Sequence, residues 1–86
     1  MKKLKCIYSI LMKLDQREKI VQSDFDIDKE EWGDIAELIL DEGLAKGISV
    51  TKGGQGNKVQ SVWYDNAKIT LDGLRFLEDN DAYSLK

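Results

Sequence analysis

A lone cysteine, a row of aspartates and a glycine run are the parts of this chain that could do chemistry, and each can be weighed by what that chemistry requires. Cys6 follows Lys2, Lys3 and Lys5, and nearby ammonium groups favour the reactive thiolate. A nucleophilic cysteine also needs a positioned base, and the 86-residue chain contains no histidine, the commonest general base at neutral pH. Cys6 therefore reads as a small apolar residue filling the edge of a core. Asp24, Asp26 and Asp28 alternate as the first ligands of an EF-hand loop do, but that loop needs glycine at its sixth place and glutamate at its twelfth. Lys29 and Ile35 stand there instead. Gly53–Gly54–Gln55–Gly56–Asn57–Lys58 has the look of a phosphate cradle, yet it lacks the GxxxxGK[ST] spacing and does not open a helix. A tight turn needing positive φ explains its glycines without a ligand. The expectation is a protein that is not an enzyme and holds no metal or cofactor.

Binding surfaces remain. The net charge of −3 conceals a strong asymmetry: residues 1–22 carry six basic and two acidic groups, whereas residues 23–43 carry one basic and nine acidic. Glu30, Asp34, Glu37 and Asp41 fall on one face at helical spacing, with Leu38 on its flank. Together they form a candidate acidic interaction face. A second candidate surface surrounds the glycine run: Lys52, Gln55, Asn57, Lys58 and Trp63. Trp63 and Tyr64 must point to opposite faces of a strand, so one of them is a candidate for exposure, while the other, or Trp63 itself, seals the core.

The elements that position these groups follow from periodicity and capping. Leu4, Ile7, Tyr8, Leu11 and Leu14 predict a buried helix face over residues 3–16, with Ile10 on its flank. The basic start of MKKLKCIYSILMKL is interrupted by Lys13 and Asp15, without a small-residue cleavage site, and reads as a core helix rather than a leader. Between Glu18 and Asp28 the alternation of Val21, Phe25 and Ile27 fits either a short strand or a helical turn near Ser23. Residues 29–42 form the next helix. Asp28 and Glu31 have the capping-box spacing, Ile27 and Trp32 the staple spacing, and Gly43 can close the far end with an Ile39–Leu44 contact. Trp32, Ile35, Ala36, Ile39 and Leu40 form its apolar stripe. Residues 46–64 then alternate with period two about the glycine run, predicting a hairpin turning at Gly53 to Asn57. Thr70 caps a last helix over 71–79, with Leu71, Leu74 and Leu77 expected to face inward. The single cysteine allows no internal disulfide, which fits a reducing cytoplasm. No apolar run reaches the roughly 20 residues a bilayer crossing needs.

Helix, short extended piece, helix, hairpin, helix is the order of an α+β winged-helix domain with an added C-terminal helix, read here as one domain over 1–86 with 81–86 as a loose tail. IDKEEWGDIAELILDEG, DEGLAKGI, the GGQGN wing and AKITLDGLRFLEDN together resemble the YjcQ family, small proteins of Gram-positive bacteria and their phages. The resemblance runs from Ile7 to Asn80 and implies a winged-helix fold and a phage or prophage origin. It brings no activity and no functional residues with it. In winged helices the helix before the wing commonly enters the DNA major groove, and here it would offer carboxylates to phosphates. The expected function is therefore a non-enzymatic binding module, monomer or homodimer, whose partner is a protein ahead of duplex DNA. A DNA-binding regulator using the wing and the basic N-terminal segment is the alternative. A DNA mimic, its acidic helix imitating a phosphate row, is a third reading.

Overall fold

In the computed structural model the backbone is described for residues 2–53 and 58–81, with side chains for the same residues except 2 and 58–60. Helix α1 (Lys2–Asp15) buries Ile7, Ile10 and Leu11, with Leu14 half-buried. Ile10, expected on the flank, lies at the centre of the core. The α1 stripe is wide enough to meet neighbours on both sides, α2 and α3. The helix ends in a Schellman turn: the Glu18 amide donates to the Lys13 carbonyl (2.8 Å) and the Arg17 amide to Leu14 (3.1 Å). Arg17 takes the left-handed conformation there, φ 59°, in a place glycine usually holds.

A 3-10 turn (Gln22–Asp24) follows, settling the open choice for this segment; residues 18–21 before it belong to no strand. Helix α2 (Lys29–Asp41) begins where Asp28 Oδ1 accepts the Glu31 amide at 2.8 Å. Such a cap is worth about 1 kcal/mol. At its end Gly43 sits at φ 68°, and the Leu44 and Gly43 amides donate to the carbonyls of Ile39 and Leu40. Trp32, Ile35, Ala36 and Ile39 are buried and join α1 in one core, with Leu40 partly buried against it.

Beyond α2 the chain forms strands β1 (Ala45–Lys46), β2 (Ser49–Gly53), β3 (Lys58–Trp63) and β4 (Lys68–Ile69), then helix α3 (Leu71–Asp79). Strands β2 and β3 pair antiparallel, Val50 opposite Val62, with a register slip between Thr51 and Lys52. Residues 54–57 of the expected turn, including the candidate contacts Gln55 and Asn57, lie outside the described residues. Strand β1 pairs with β4, Ala45 opposite Ile69 and Lys46 opposite Lys68. A two-residue ladder carries no periodicity of its own, so this second sheet leaves no sequence signal.

Thr70 ties the two long-range ends together. Its hydroxyl donates to the Gly43 carbonyl (2.6 Å) and accepts the Gly73 amide (3.0 Å), while its own amide donates to Leu44 (3.1 Å). Gly73 is buried where a Cβ would run into the Leu44 carbonyl and the Ile69 side chain. Leu77 is buried, but Leu71 and Leu74 are 64% and 42% exposed. The expectation of three inward leucines is corrected: a glycine this close to Leu44 presents the Gly73–Leu77 line to the core and turns Leu74 and Leu71 outward. Among the described residues the architecture is α+β, three α-helices and two small antiparallel sheets, an order compatible with a winged helix.

Candidate interaction surfaces

The acidic face of α2 is present as a solvent-exposed row. Glu30, Asp34 and Asp41 are exposed, Leu38 is exposed beside them, and Glu37 is partly buried. The carboxylates of Glu30, Asp34 and Asp41 pair with no cation among the described residues. Glu37 differs. Its Oε2 lies 2.6 Å from Lys52 Nζ on β2, so the hairpin is fastened to the helix by an ion pair. The hydrogen bond to Glu37 and its negative charge hold the Lys52 ammonium above the usual lysine range against desolvation, with the charge of Asp41 adding the smallest push. Two residues assigned to separate surfaces by sequence thus belong to one contact, and Lys52 is committed within the chain. The side chain of Lys58 lies outside the described set.

The three aspartates before α2 do not converge. Asp28 caps the helix, Asp24 lies 3.7 Å from Lys13, and among the described residues no group of three acidic, cysteine or histidine side chains could hold a metal. Cys6 is buried in the core. Lys46 and Lys68, both exposed, stand opposite each other across the β1–β4 ladder, a like-charge pairing that costs some stability.

At the β3 end, alternation sends neighbouring aromatics to opposite sides. Trp63 is 55% exposed, whereas Tyr64 is 8% exposed. Val50 and Val62 share the inward face and pack on the core, leaving Ser49, Ser61 and Trp63 facing away from it. Tyr64 meets the ring of Trp32 edge-on (5.6 Å, 61°), and Trp32 meets Phe25 on its other flank (5.3 Å). The Tyr64 hydroxyl is buried with no hydrogen-bond partner among the described residues. Leaving a hydroxyl unsatisfied costs about 1–3 kcal/mol, and burial pushes its pKa above the ordinary tyrosine value.

Beside this aromatic row lies a groove of about 340 Å³. Residues 19–22 form one wall, residues 61–65 the other, and Lys29 and Trp32 of α2 line it between them. A second cavity of about 570 Å³ lies against Tyr64 and Asp65, bounded by the end of α1 and by β4. Of the sequence candidates only Trp63 lines the groove. Sequence reasoning missed the rest because the two walls are some forty residues apart in the chain and neither is periodic. The one available signal was the choice between Trp63 and Tyr64, which named the right strand end without its opposite wall.

The profile of the YjcQ protein family matches residues 3–85, nearly the whole chain, and the protein belongs to that family. No curated protein and no solved structure matches it. Two of the segments that carry the family likeness, DEGLAKGI and ITLDG, supply the Gly43–Thr70–Gly73 junction. Their residues hold the fold.

Proposed function

We propose that this YjcQ-family chain is a winged-helix module, the β2–β3 hairpin its wing, that acts without catalysis by contact with another macromolecule, and that the partner is a protein rather than duplex DNA. The observation that carries this reading is the charge on α2. Glu30, Asp34 and Asp41 face solvent and form no ion pair among the described residues, and the wing cation Lys52 is paired with Glu37. Duplex affinity comes chiefly from phosphate neutralisation by lysine and arginine, and this face supplies the wrong sign. Against catalysis stand the missing histidine and the burial of Cys6.

The duplex reading draws its support from Lys46 and Lys68, which β1 and β4 place side by side and exposed. A gel shift with random-sequence duplex DNA, run across a salt series, separates the two. The unaltered protein should bind weakly or not at all near physiological salt. Asp34→Lys with Asp41→Lys, which spares the Glu37–Lys52 pair, should strengthen non-specific binding and steepen its loss with salt. Tight binding by the unaltered protein, abolished by Lys46→Glu and Lys68→Glu, overturns the protein-partner reading and restores a regulator.

A further inference from the structure

The two walls of the groove beside β3 are continuous stretches of chain, residues 19–22 and 61–65. Side chains of a strand alternate between faces, so the three consecutive β3 residues 61–63 line one cavity only if the strand presents its edge to it. Strand β3 pairs with β2 alone among the described residues, and this edge is its other, unpaired side. Across the groove Val21 is extended (φ −134°, ψ 147°) and its carbonyl accepts the Asp24 amide. Lys19 and Ile20 make no backbone hydrogen bond among the described residues. Two lengths of backbone with open hydrogen-bonding groups thus face each other across a gap. A strand edge with open backbone groups is a ready template for pairing with an added strand.

The chemistry of the lining says which. Trp32 and Val62 offer apolar surface from beneath, and exposed Trp63 rises at the rim. Lys19 and Lys29, both exposed, pair with no carboxylate among the described residues, while Asp65 is the sole acidic side chain on the walls. In a chain of net charge −3 this is a locally cationic slot.

We infer that the slot is a β-addition site, taking an extended peptide segment of a partner protein that carries carboxylate side chains beside a bulky apolar one. The inference rests on the protein-partner reading above but uses a face separate from the acidic row. Backbone hydrogen bonds to β3 supply affinity whatever the sequence, the apolar side chain covers Trp32, and the carboxylates meet Lys19 and Lys29. Alternation in the added strand then puts its remaining side chains out beside Trp63.

The test is selection from a display library of random octapeptides against the whole protein. The expected binders are rich in acidic and β-branched or aromatic residues and poor in proline. Methylating alternate backbone nitrogens of a selected peptide should weaken binding at least tenfold. Lys19→Glu with Lys29→Glu, both on exposed side chains and checked for an unchanged melt, should do the same. Amide exchange at residues 61–63 and 19–21 should slow on binding. No binder from the library, or binders indifferent to both changes, overturns the inference. Slowing of the same amides with rising protein concentration alone also overturns it, and assigns the edge to a second copy of the chain. These outcomes are independent of the gel shift. Failure here leaves the acidic face as a protein surface, whereas tight duplex binding overturns the functional reading without touching the peptide data.

Discussion

The junction between α2 and α3 and the slot beside β3 treat their polar groups in opposite ways. At the junction the Gly43 and Leu44 carbonyls and the Gly73 amide all find Thr70, and Gly73 allows the backbones to close on one another. At the slot, the Ile20 backbone and the Tyr64 hydroxyl find nothing among the described residues, and a tryptophan stands in solvent. Complete satisfaction marks the part that must not move. A deficit this local, with apolar and cationic groups around it, marks a part built to be completed by something else. Gly43, Thr70 and Gly73, from two segments of the family likeness, lie in the first region, and the groove-lining groups lie in the second.

That contrast can be broken most directly at Gly73. Gly73→Ala forces a Cβ against the Leu44 carbonyl, and the domain should lose about 3 kcal/mol or more, read from its urea midpoint. A loss below about 1 kcal/mol would mean that α3 can slide away and that the junction is not the rigid half. Thr70→Val keeps the shape but removes the cap and the bond to Gly43, and should cost about 2 kcal/mol, with Thr70→Ser recovering most of it.

On the slot side the signs reverse. Tyr64→Phe removes an unsatisfied buried hydroxyl and should stabilise the fold by about 1 kcal/mol. The same change alters the pH profile. With its folded pKa raised by burial, Tyr64 keeps its proton in the native state after the unfolded chain has begun to lose it at about pH 10. The native state then binds more protons, so stability falls as pH climbs from there towards the higher folded value. Thermal melts between pH 9 and 11 should show that fall in the unaltered protein and a shallower one in Tyr64→Phe. An equal slope in both would show that the hydroxyl finds a partner or solvent. The smallest effect belongs to Arg17, the residue that opens the loop leading to the slot. Arg17→Gly relieves a left-handed side-chain conformation and should gain about 0.5–1 kcal/mol, read from the same urea curves.

Local chemistry in the sequence was enough for the helices, their ends and the hairpin. The Asp28 cap, the Gly43 turn, the Thr70 cap and the period-two run about the glycines each involve residues within a few positions of one another, where chain connectivity already sets the geometry. The acidic row on α2 was legible for the same reason, since helical spacing alone puts Glu30, Asp34, Glu37 and Asp41 together. Periodicity cannot say which of several apolar residues wins the core: Ile10 is buried because α1 meets both α2 and α3, and Leu71 and Leu74 face outward because Gly73 sits against Leu44. Nor can it bring distant segments side by side. The Lys52–Glu37 pair, the β1–β4 ladder, the buried Tyr64 hydroxyl and the slot between residues 19–22 and 61–65 exist only because packing of α1, α2 and the hairpin on one core brings those stretches into reach.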